Sequence, residues 1–154
     1  NIVMKRFDDY LGSWCEERGV AYTRYCDDLT FSGNCDLYRV YSKAKKLLEN
    51  MGFEVNEKKT AFLGENVQQS VTGVVVNEKP SVSREERRKL RQELYYFYKF
   101  GDKKAMEKYG SDMSKSDYFR HLYARIAYVL QIDPDNAEFV AEKKKMDELA
   151  WSVL

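Results

Sequence analysis

Two adjacent carboxylates, Asp27 and Asp28, are the side chains in this sequence best suited to chemistry. They interrupt a segment, residues 20–33, that is rich in aromatic and β-branched residues. The pattern predicts an antiparallel hairpin with both aspartates at its turn. Neighbouring negative charges repel each other, and Asn-Gly or Asp-Gly would form such a turn at lower cost. A bound divalent cation would remove that repulsion.

Magnesium is the cation that this pattern favours, and phosphoryl transfer is the chemistry. Mg²⁺ takes oxygen ligands and usually binds through one or two carboxylates together with phosphate oxygens. In a two-metal mechanism, carboxylates hold two ions about 3.5–4 Å apart, which activate the attacking hydroxyl and neutralise the leaving group. A solvated turn is the alternative interpretation, and for an isolated Asp-Asp pair it is the usual one.

The elements around the hairpin divide the chain into an α+β part and a helical part. Hydrophobic spacing and cap residues predict helices at 2–18 and 36–51 that cover one face of the hairpin, then strands at 53–55 and 68–77. After Pro80 we predict only helices, from Ser83 to Gly101, around Ala105, at 116–132 and at 136–154. Residues 1–80 are therefore predicted to be α+β and residues 81–154 all-helical.

Charge is balanced over the chain but not along it. Lys and Arg number 26 against 25 Asp and Glu, a net charge of +1. Residues 84–108 hold nine basic and five acidic residues, whereas residues 1–80 hold 11 and 12. The helical part therefore begins with a basic surface. A hydrophobic content of 44% argues against disorder, and no apolar run is long enough to cross a membrane.

Cysteine usage indicates the compartment. The three cysteines, Cys15, Cys26 and Cys35, have no CxxC spacing, and no signal peptide precedes them. An odd number of unpatterned cysteines is typical of reduced thiols. We therefore expect a cytoplasmic protein.

Three segments carry a resemblance to retron-type bacterial reverse transcriptases. Residues 22–33, Tyr-Thr-Arg-Tyr-Cys-Asp-Asp-Leu-Thr-Phe-Ser-Gly, are similar to their catalytic hairpin, in which Tyr-x-Asp-Asp precedes a Leu-Thr-Phe-Ser strand. Residues 52–60 resemble the next polymerase motif, with its Gly, Asn and Lys-Thr. Residues 69–77 resemble the segment that holds the primer and contain the Val-Thr-Gly triplet of retron enzymes. The resemblance implies a polymerase palm fragment at 1–80, followed by a helical thumb at 81–154.

The resemblance also implies an activity, RNA-directed DNA polymerisation, in which a primer 3′-hydroxyl attacks a dNTP. Asp27 would bind Mg²⁺ directly, with Mn²⁺ as an alternative, and Asp28 would bind or tune the metal from the second position. Lys59 would assist the departing pyrophosphate, although a surface lysine is an equally good interpretation. Residues 1–11 resemble a helix that follows the template-contacting motif. The chain would then be the C-terminal half of the enzyme, lacking a third aspartate and inactive alone.

Nucleic-acid contacts follow from the same resemblance. Tyr25 and Cys26 would lie near the primer terminus, and Val71, Thr72 and Gly73 would recognise the cognate structured RNA. In the thumb, Arg84, Arg87, Arg88 and Arg91 would contact phosphates of the RNA template and DNA primer. A solvated charged face is the alternative for these arginines. Asp8 and Asp9 are interpreted as a solvated pair on the polar face of the first helix.

Two further functions remain open at this point. One is a non-catalytic module that binds RNA or DNA and retains the polymerase fold. The other is a related polymerase, from a group II intron or a phage-defence system. The Val-Thr-Gly triplet favours a retron enzyme, for which the expected biological role is antiviral defence.

Overall fold

The computed structural model describes residues 2–110 and 112–153, with side chains as far as residue 150. Within these ranges the chain is α+β, which confirms the predicted fold class. It divides into two compact units, one ending at Gly64 and the other beginning at Glu65. The assignment of residues 1–80 to a palm and 81–154 to a thumb concerns function and stays a prediction. Asn1 and Leu154, the ends of two predicted helical segments, lie outside the described residues.

The first unit is a hairpin mounted on two helices. Its elements are α1 (Lys5–Glu16), β1 (Ala21–Tyr25), β2 (Asp28–Ser32) and α2 (Leu37–Asn50). The predicted hairpin and both predicted helices are thus confirmed. The buried core consists of Phe7, Leu11 and Cys15 of α1, Val20, and Val40, Ala44 and Leu48 of α2. Side chains of the hairpin pack against this core, so the sheet is held from the side of the helices.

The end of α2 shows why one predicted strand does not form. Gly52, with φ 80°, donates its amide to the carbonyl oxygen of Glu49, and Phe53 donates to that of Leu48, both at 3.0 Å. This pair of bonds is the Schellman motif, which satisfies the last carbonyls of a helix. The predicted strand at 53–55 is wrong, since the amide of Phe53 closes the helix instead of joining a sheet.

The second unit begins with a small antiparallel sheet. Its strands are β3 (Ser70–Val71), β4 (Val74–Val75) and β5 (Ser81–Val82), in the order β3-β4-β5. The prediction of one continuous strand at 68–77 is wrong, because the chain reverses at Thr72 and Gly73. Both residues have positive φ, 48° and 85°, and they form the two-residue turn between β3 and β4.

Three helices complete the second unit: α3 (Arg84–Tyr109), α4 (Lys115–Ile132) and α5 (Ala137–Val153). Ser83 caps α3, with its hydroxyl oxygen accepting from the amide of Glu86 at 3.2 Å, as the sequence predicted. Gly101, with φ 82°, breaks α3 at its predicted end, and the helix resumes toward Ala105. The core includes Leu90, Leu94, Tyr118, Leu122, Ile126, Val129, Phe139 and Met146. Across the described ranges, no helix is both long and apolar enough to span a membrane.

Candidate active site on the acidic hairpin

The acidic hairpin turns in two residues. Five cross-strand pairs form its ladder, and the last of them joins Tyr25 to Asp28. Cys26 and Asp27 are therefore the whole loop. Cys26 has φ 54°, a left-handed conformation that costs a residue other than glycine about 1–2 kcal/mol. Two-residue hairpin loops normally place Gly, Asn or Asp there, so this turn is held in a strained state.

Alternation along the strands gives the hairpin an inner and an outer face. On the inner face, the ring of Tyr22 stacks on Phe31 with centroids 5.2 Å apart and meets Phe7 edge-on at 6.5 Å. Tyr25 and Asp28 are a cross-strand pair on the outer face, where Tyr25 is 68% exposed. The Asp28 carboxylate and the Tyr25 ring are thus neighbours on the open side of the sheet.

Behind the turn, an ion pair connects the hairpin to α1. Two nitrogens of the Arg24 guanidinium donate to the Asp8 carboxylate, Nε to Oδ1 at 2.8 Å and Nη2 to Oδ2 at 2.5 Å. The third nitrogen, Nη1, donates to the carbonyl oxygen of Cys26 at 2.6 Å. The hydroxyl of Tyr22 also donates to Asp8 Oδ1, at 2.8 Å. The Arg24 side chain is only 10% exposed, and its bonds to Asp8 are partly buried, whereas its bond to the Cys26 carbonyl lies at the surface. We call Asp8, Tyr22, Arg24 and Cys26 the brace.

The brace shifts the pKa values of Asp8 and Tyr22. Hydrogen bonds from the Arg24 guanidinium hold the pKa of the Asp8 carboxyl below its usual range. Burial, and then the hydrogen bond to Asp8, raises the pKa of Tyr22. The interpretation of Asp8 and Asp9 as one solvated pair is therefore wrong for Asp8. Asp9 does stand on the surface, where it pairs with Lys5 at 2.7 Å.

The two candidate metal ligands have no partner among the described residues. Asp27 and Asp28 are exposed, and neither side chain has a hydrogen bond or ion pair with any described residue. In the described part of the chain, no group of three or more His, Cys, Asp or Glu side chains could hold a metal ion. The hairpin thus offers two carboxylates. Unengaged carboxylate oxygens fit Mg²⁺, which binds through one or two of them and completes its shell with water and phosphate.

Lys59 lies in a turn that is tied to α2. The carbonyl oxygen of Asn56 accepts from the Lys59 amide at 3.0 Å. Next to it, Glu57 accepts from Lys45 Nζ and from the Tyr41 hydroxyl, both at 2.5 Å, and the bond from Lys45 lowers the pKa of Glu57. The turn is thereby fixed on the helix. The ammonium of Lys59 is exposed and has no partner among the described residues.

Val71, Thr72 and Gly73 belong to the hairpin of β3 and β4, in the second unit. Val71 pairs with Val74, so Thr72 and Gly73 form a loop in which both residues have positive φ, the pattern of a type I′ turn. A β-branched residue is an outlier in that conformation. A Cβ at Gly73 would meet no atom within 4 Å. The backbone conformation, rather than crowding within the chain, therefore explains this glycine.

The four arginines at the start of α3 differ in their surroundings. Arg91 Nε pairs with Glu138 Oε1 of α5 at 2.7 Å. Arg87 is half-buried, and its Nε has no partner. Arg84 and Arg88 are exposed and form no ion pair with a described residue. Of the four, Arg84 and Arg88 are the cations left available for a partner.

Arg84 and Arg88 begin a stripe along the outer face of α3 that continues at helical spacing through Tyr95 and Lys99. Tyr95 is 56% exposed. Lys99 Nζ donates to its hydroxyl at 2.6 Å and lies 5.1 Å from its ring centroid. Phe97 packs against the core of the unit instead. We call Arg84, Arg88, Tyr95 and Lys99 the outer stripe.

Sequence reasoning missed two residues of the site, Arg24 and Asp8. Both are polar positions within apolar patterns, and helix periodicity shows only that Asp8 lies on the polar side of α1. The bond between them joins residues 16 apart in sequence, on different elements. The one available signal was a charged residue, Arg24, inside a strand whose alternation places it on the inner face.

Two features of the chain, the acidic hairpin and the outer stripe of α3, indicate its class of protein. Free carboxylates on a rigid hairpin suit metal-dependent phosphoryl transfer, and a basic, aromatic helix face suits nucleic acid. No protein-family model matches the chain. Curated relatives do match it. The retron Mx65 reverse transcriptase of Myxococcus xanthus is 37% identical over 147 residues, and the retron Ec83 reverse transcriptase of Escherichia coli is 32% identical over 150.

These matches cover 94% and 93% of this chain. The retron Ec86 reverse transcriptase of E. coli, 27% identical over 138 residues, covers 86%. The chain is therefore homologous to retron reverse transcriptases along most of its length, which confirms the resemblance read from its sequence. It spans 32% to 44% of the length of these relatives, so it corresponds to a part of such an enzyme.

Proposed function

We propose that this chain is part of an RNA-directed DNA polymerase of the retron type, and that its acidic hairpin carries catalytic carboxylates. The observation that carries the proposal is the pair of unengaged carboxylates, Asp27 and Asp28, on a turn held from behind by a shielded ion pair. The names of the homologues support the reaction class. The reaction is attack of a primer 3′-hydroxyl on the α-phosphorus of a dNTP, with release of pyrophosphate.

Asp27 and Asp28 would hold Mg²⁺, or Mn²⁺ in its place, through their carboxylate oxygens. Bound ions of this kind lower the pKa of the attacking hydroxyl and neutralise the charge that develops on the leaving group. Asp27, in the loop, is our candidate for the direct ligand. Asp28, the first residue of β2, would bind or tune the metal from the second position of the Asp-Asp pair. Because the described residues supply two carboxylates, we propose that a third comes from elsewhere in the full-length protein and that this chain alone is inactive.

Lys59 is our candidate for the group that assists the leaving pyrophosphate. Its turn is fixed on α2 through Glu57, and its own ammonium is exposed and unpaired among the described residues. A cation held by a rigid turn stabilises developing negative charge without having to reorganise during the reaction. A lysine in a mobile loop would lack this advantage.

We propose three nucleic-acid contacts. Tyr25 and Cys26 lie beside the carboxylates and would face the primer terminus. The loop of Thr72 and Gly73 would approach the cognate structured RNA, since a glycine lets another backbone come close. The outer stripe would follow phosphates of the template–primer duplex, with the ring of Tyr95 contacting sugars. Arg91, which is exposed but already paired with Glu138, and the half-buried Arg87 would not contact phosphate.

A non-catalytic nucleic-acid-binding module is the second candidate. The observation in its favour is that the outer stripe needs no metal and no third carboxylate to bind a duplex. The retron type implies antiviral defence and a cognate structured RNA, and the cysteine usage implies a cytoplasmic location. A group II intron or phage-defence polymerase would share the chemistry and differ in its RNA.

Primer extension separates the two candidates. The full-length protein is incubated with a primed RNA template, dNTPs and Mg²⁺, and DNA products are resolved by length. The polymerase proposal predicts template-length DNA that requires all four components. A protein that binds the primed template but extends no primer with Mg²⁺ or Mn²⁺ would instead be the non-catalytic module.

A further inference from the structure

We propose that Arg24 and Asp8 are positioning residues that hold the acidic turn in its strained conformation and thereby fix the carboxylates of Asp27 and Asp28. The inference rests on the proposed function for its catalytic meaning. It stands on geometry of its own: a half-buried guanidinium that donates from two nitrogens to a helix and from Nη1 to the backbone of the turn.

The bond from Arg24 to the turn acts on the position of Asp27 through the peptide plane. The carbonyl of Cys26 belongs to the same rigid planar unit as the amide nitrogen of Asp27. A donor that holds this carbonyl at 2.6 Å therefore sets the direction in which the chain enters Asp27. Cys26 has the positive φ of the turn, so the hydrogen bond acts where the backbone would otherwise relax.

Asp8 anchors the other end of the brace. Its neighbours on α1, Phe7 and Leu11, are buried in the core of the unit, so the helix cannot shift without disturbing that core. The carboxylate accepts three hydrogen bonds, two from Arg24 and one from Tyr22. The turn is thus coupled to the rigid part of the unit by charge-assisted bonds, which are the stronger class.

The bonds from Arg24 to Asp8 and to the Cys26 carbonyl require a guanidinium. Its planar fork presents nitrogens in fixed directions, toward Asp8 on one side and toward the Cys26 carbonyl on the other. A lysine ammonium is a point charge on a flexible stem and cannot reproduce both contacts. Arg24→Lys therefore keeps the charge and removes the geometry, which makes it the sharpest variant for this proposal.

Hydrogen exchange in the full-length protein tests the brace without reference to activity. The variants are Arg24→Lys and Asp8→Asn. The matched control is Asp9→Asn, one residue along the same helix, whose pair with Lys5 is on the surface. We expect the two brace variants to exchange at residues 25–28 about tenfold faster than wild type. The control and the rest of the hairpin should remain unchanged.

Extension assays on the same variants test the catalytic meaning. Arg24→Lys and Asp8→Asn should lower the maximum single-turnover rate by about tenfold or more, while the affinity for primed RNA changes less than about twofold. Because Asp8 acts through Arg24, the double variant should be no slower than Arg24→Lys alone. If Asp8→Asn does not fold, Tyr22→Phe removes one bond to Asp8 and should give a smaller change in the same segment.

Each outcome decides the inference. Unchanged exchange at residues 25–28 in Arg24→Lys would overturn it, and so would faster exchange spread evenly over the first unit, which indicates a merely structural pair. Faster exchange in the turn with an unchanged extension rate would overturn the positioning role. If the wild-type protein extends no primer, the polymerase proposal fails, and the exchange measurement still decides whether the brace holds the turn.

Discussion

The two tight hairpins of this protein share a backbone device and differ in what surrounds it. Each reverses the chain in two residues, and each places a residue other than glycine at positive φ in the first loop position, Cys26 in one and Thr72 in the other. The acidic hairpin has a ladder of five pairs and is held from behind by the brace. The other hairpin has a ladder of two pairs.

The base of the second hairpin is closed by the side chain of Asn77, which accepts from the amide of Gln69 at 2.8 Å and donates to the carbonyl of Val67 at 2.9 Å. Its loop has open space around Gly73. The contrast teaches that strain alone does not identify a catalytic turn. A turn whose carboxylates must keep a fixed position for a reaction needs charged side chains that stabilise its backbone. A turn that meets a flexible partner such as RNA can remain exposed.

The largest effect should come from the fixed hairpin. In the full-length protein, we expect Asp27→Asn to lower primer extension by more than a hundredfold, about 2.7 kcal/mol of barrier. Carboxylate and amide have the same shape, so the substitution changes charge and ligand strength alone. Binding of primed RNA, measured by filter retention, should stay within about threefold, or roughly 0.65 kcal/mol. Activity within tenfold of wild type would remove Asp27 as a direct ligand.

Lys59 should produce the next largest effect, confined to chemistry. A leaving-group role predicts that Lys59→Ala lowers the maximum rate about tenfold or more with little change in dNTP affinity. Lys58→Ala is the matched control, since it removes the adjacent lysine from the same turn. Pre-steady-state titration with dNTP separates rate from affinity. Weaker dNTP binding at an unchanged maximum rate would make Lys59 a simple binding charge.

The outer stripe should affect binding without affecting chemistry. Replacing Arg84 and Arg88 with Gln should weaken binding to an RNA–DNA duplex and flatten its log–log salt dependence by close to one unit per lost phosphate contact. Arg91→Gln is the control, because Arg91 is already paired with Glu138. Duplex titrations at several salt concentrations measure both slopes. Parallel slopes for the double variant and wild type would argue for a solvated face, on which exposed charges contribute about 0–1 kcal/mol each.

The smallest effect concerns the strain that the two turns share. Asparagine tolerates the left-handed conformation, so Cys26→Asn and Thr72→Asn should each raise the free energy of unfolding by about 1 kcal/mol. The gain should be larger at Thr72, because a β-branched side chain suits that conformation least. Thr30→Asn, within an extended strand, is the control and should be neutral or slightly destabilising. Chemical denaturation measures all three. A free energy of unfolding that falls equally in Cys26→Asn and Thr72→Asn would show that neither turn is strained.

Local patterns were sufficient for the elements of the first unit. Helix periodicity and cap residues are readable within a few residues, and the aromatic and β-branched residues on both sides of the two aspartates predicted the hairpin. Each of these signals is short in range. The structure places the ends of α1 and α2 within three residues of those predicted.

The errors arose where a residue acts against its propensity or through a distant partner. Val71-Thr72-Gly73-Val74 was predicted as one strand because threonine favours extended backbone, whereas the chain turns there. Phe53 was assigned to a strand by its type, whereas its amide completes a helix cap. The bond between Arg24 and Asp8 depends on how α1 packs against the hairpin. No spacing rule along the chain contains that information.

Metal-directed cleavage tests the central claim, that the acidic hairpin is the metal-binding centre, most directly. Fe²⁺ takes the place of Mg²⁺ in the full-length protein, and added hydrogen peroxide, with ascorbate to reduce Fe³⁺ again, yields hydroxyl radicals that cut the backbone near the bound ion. The fragments are mapped by mass spectrometry. Our account predicts cuts within residues 21–32 that disappear in Asp27→Asn and in excess Mg²⁺. Cuts that fall only outside this hairpin, or that persist unchanged in both Asp27→Asn and Asp28→Asn, would contradict it.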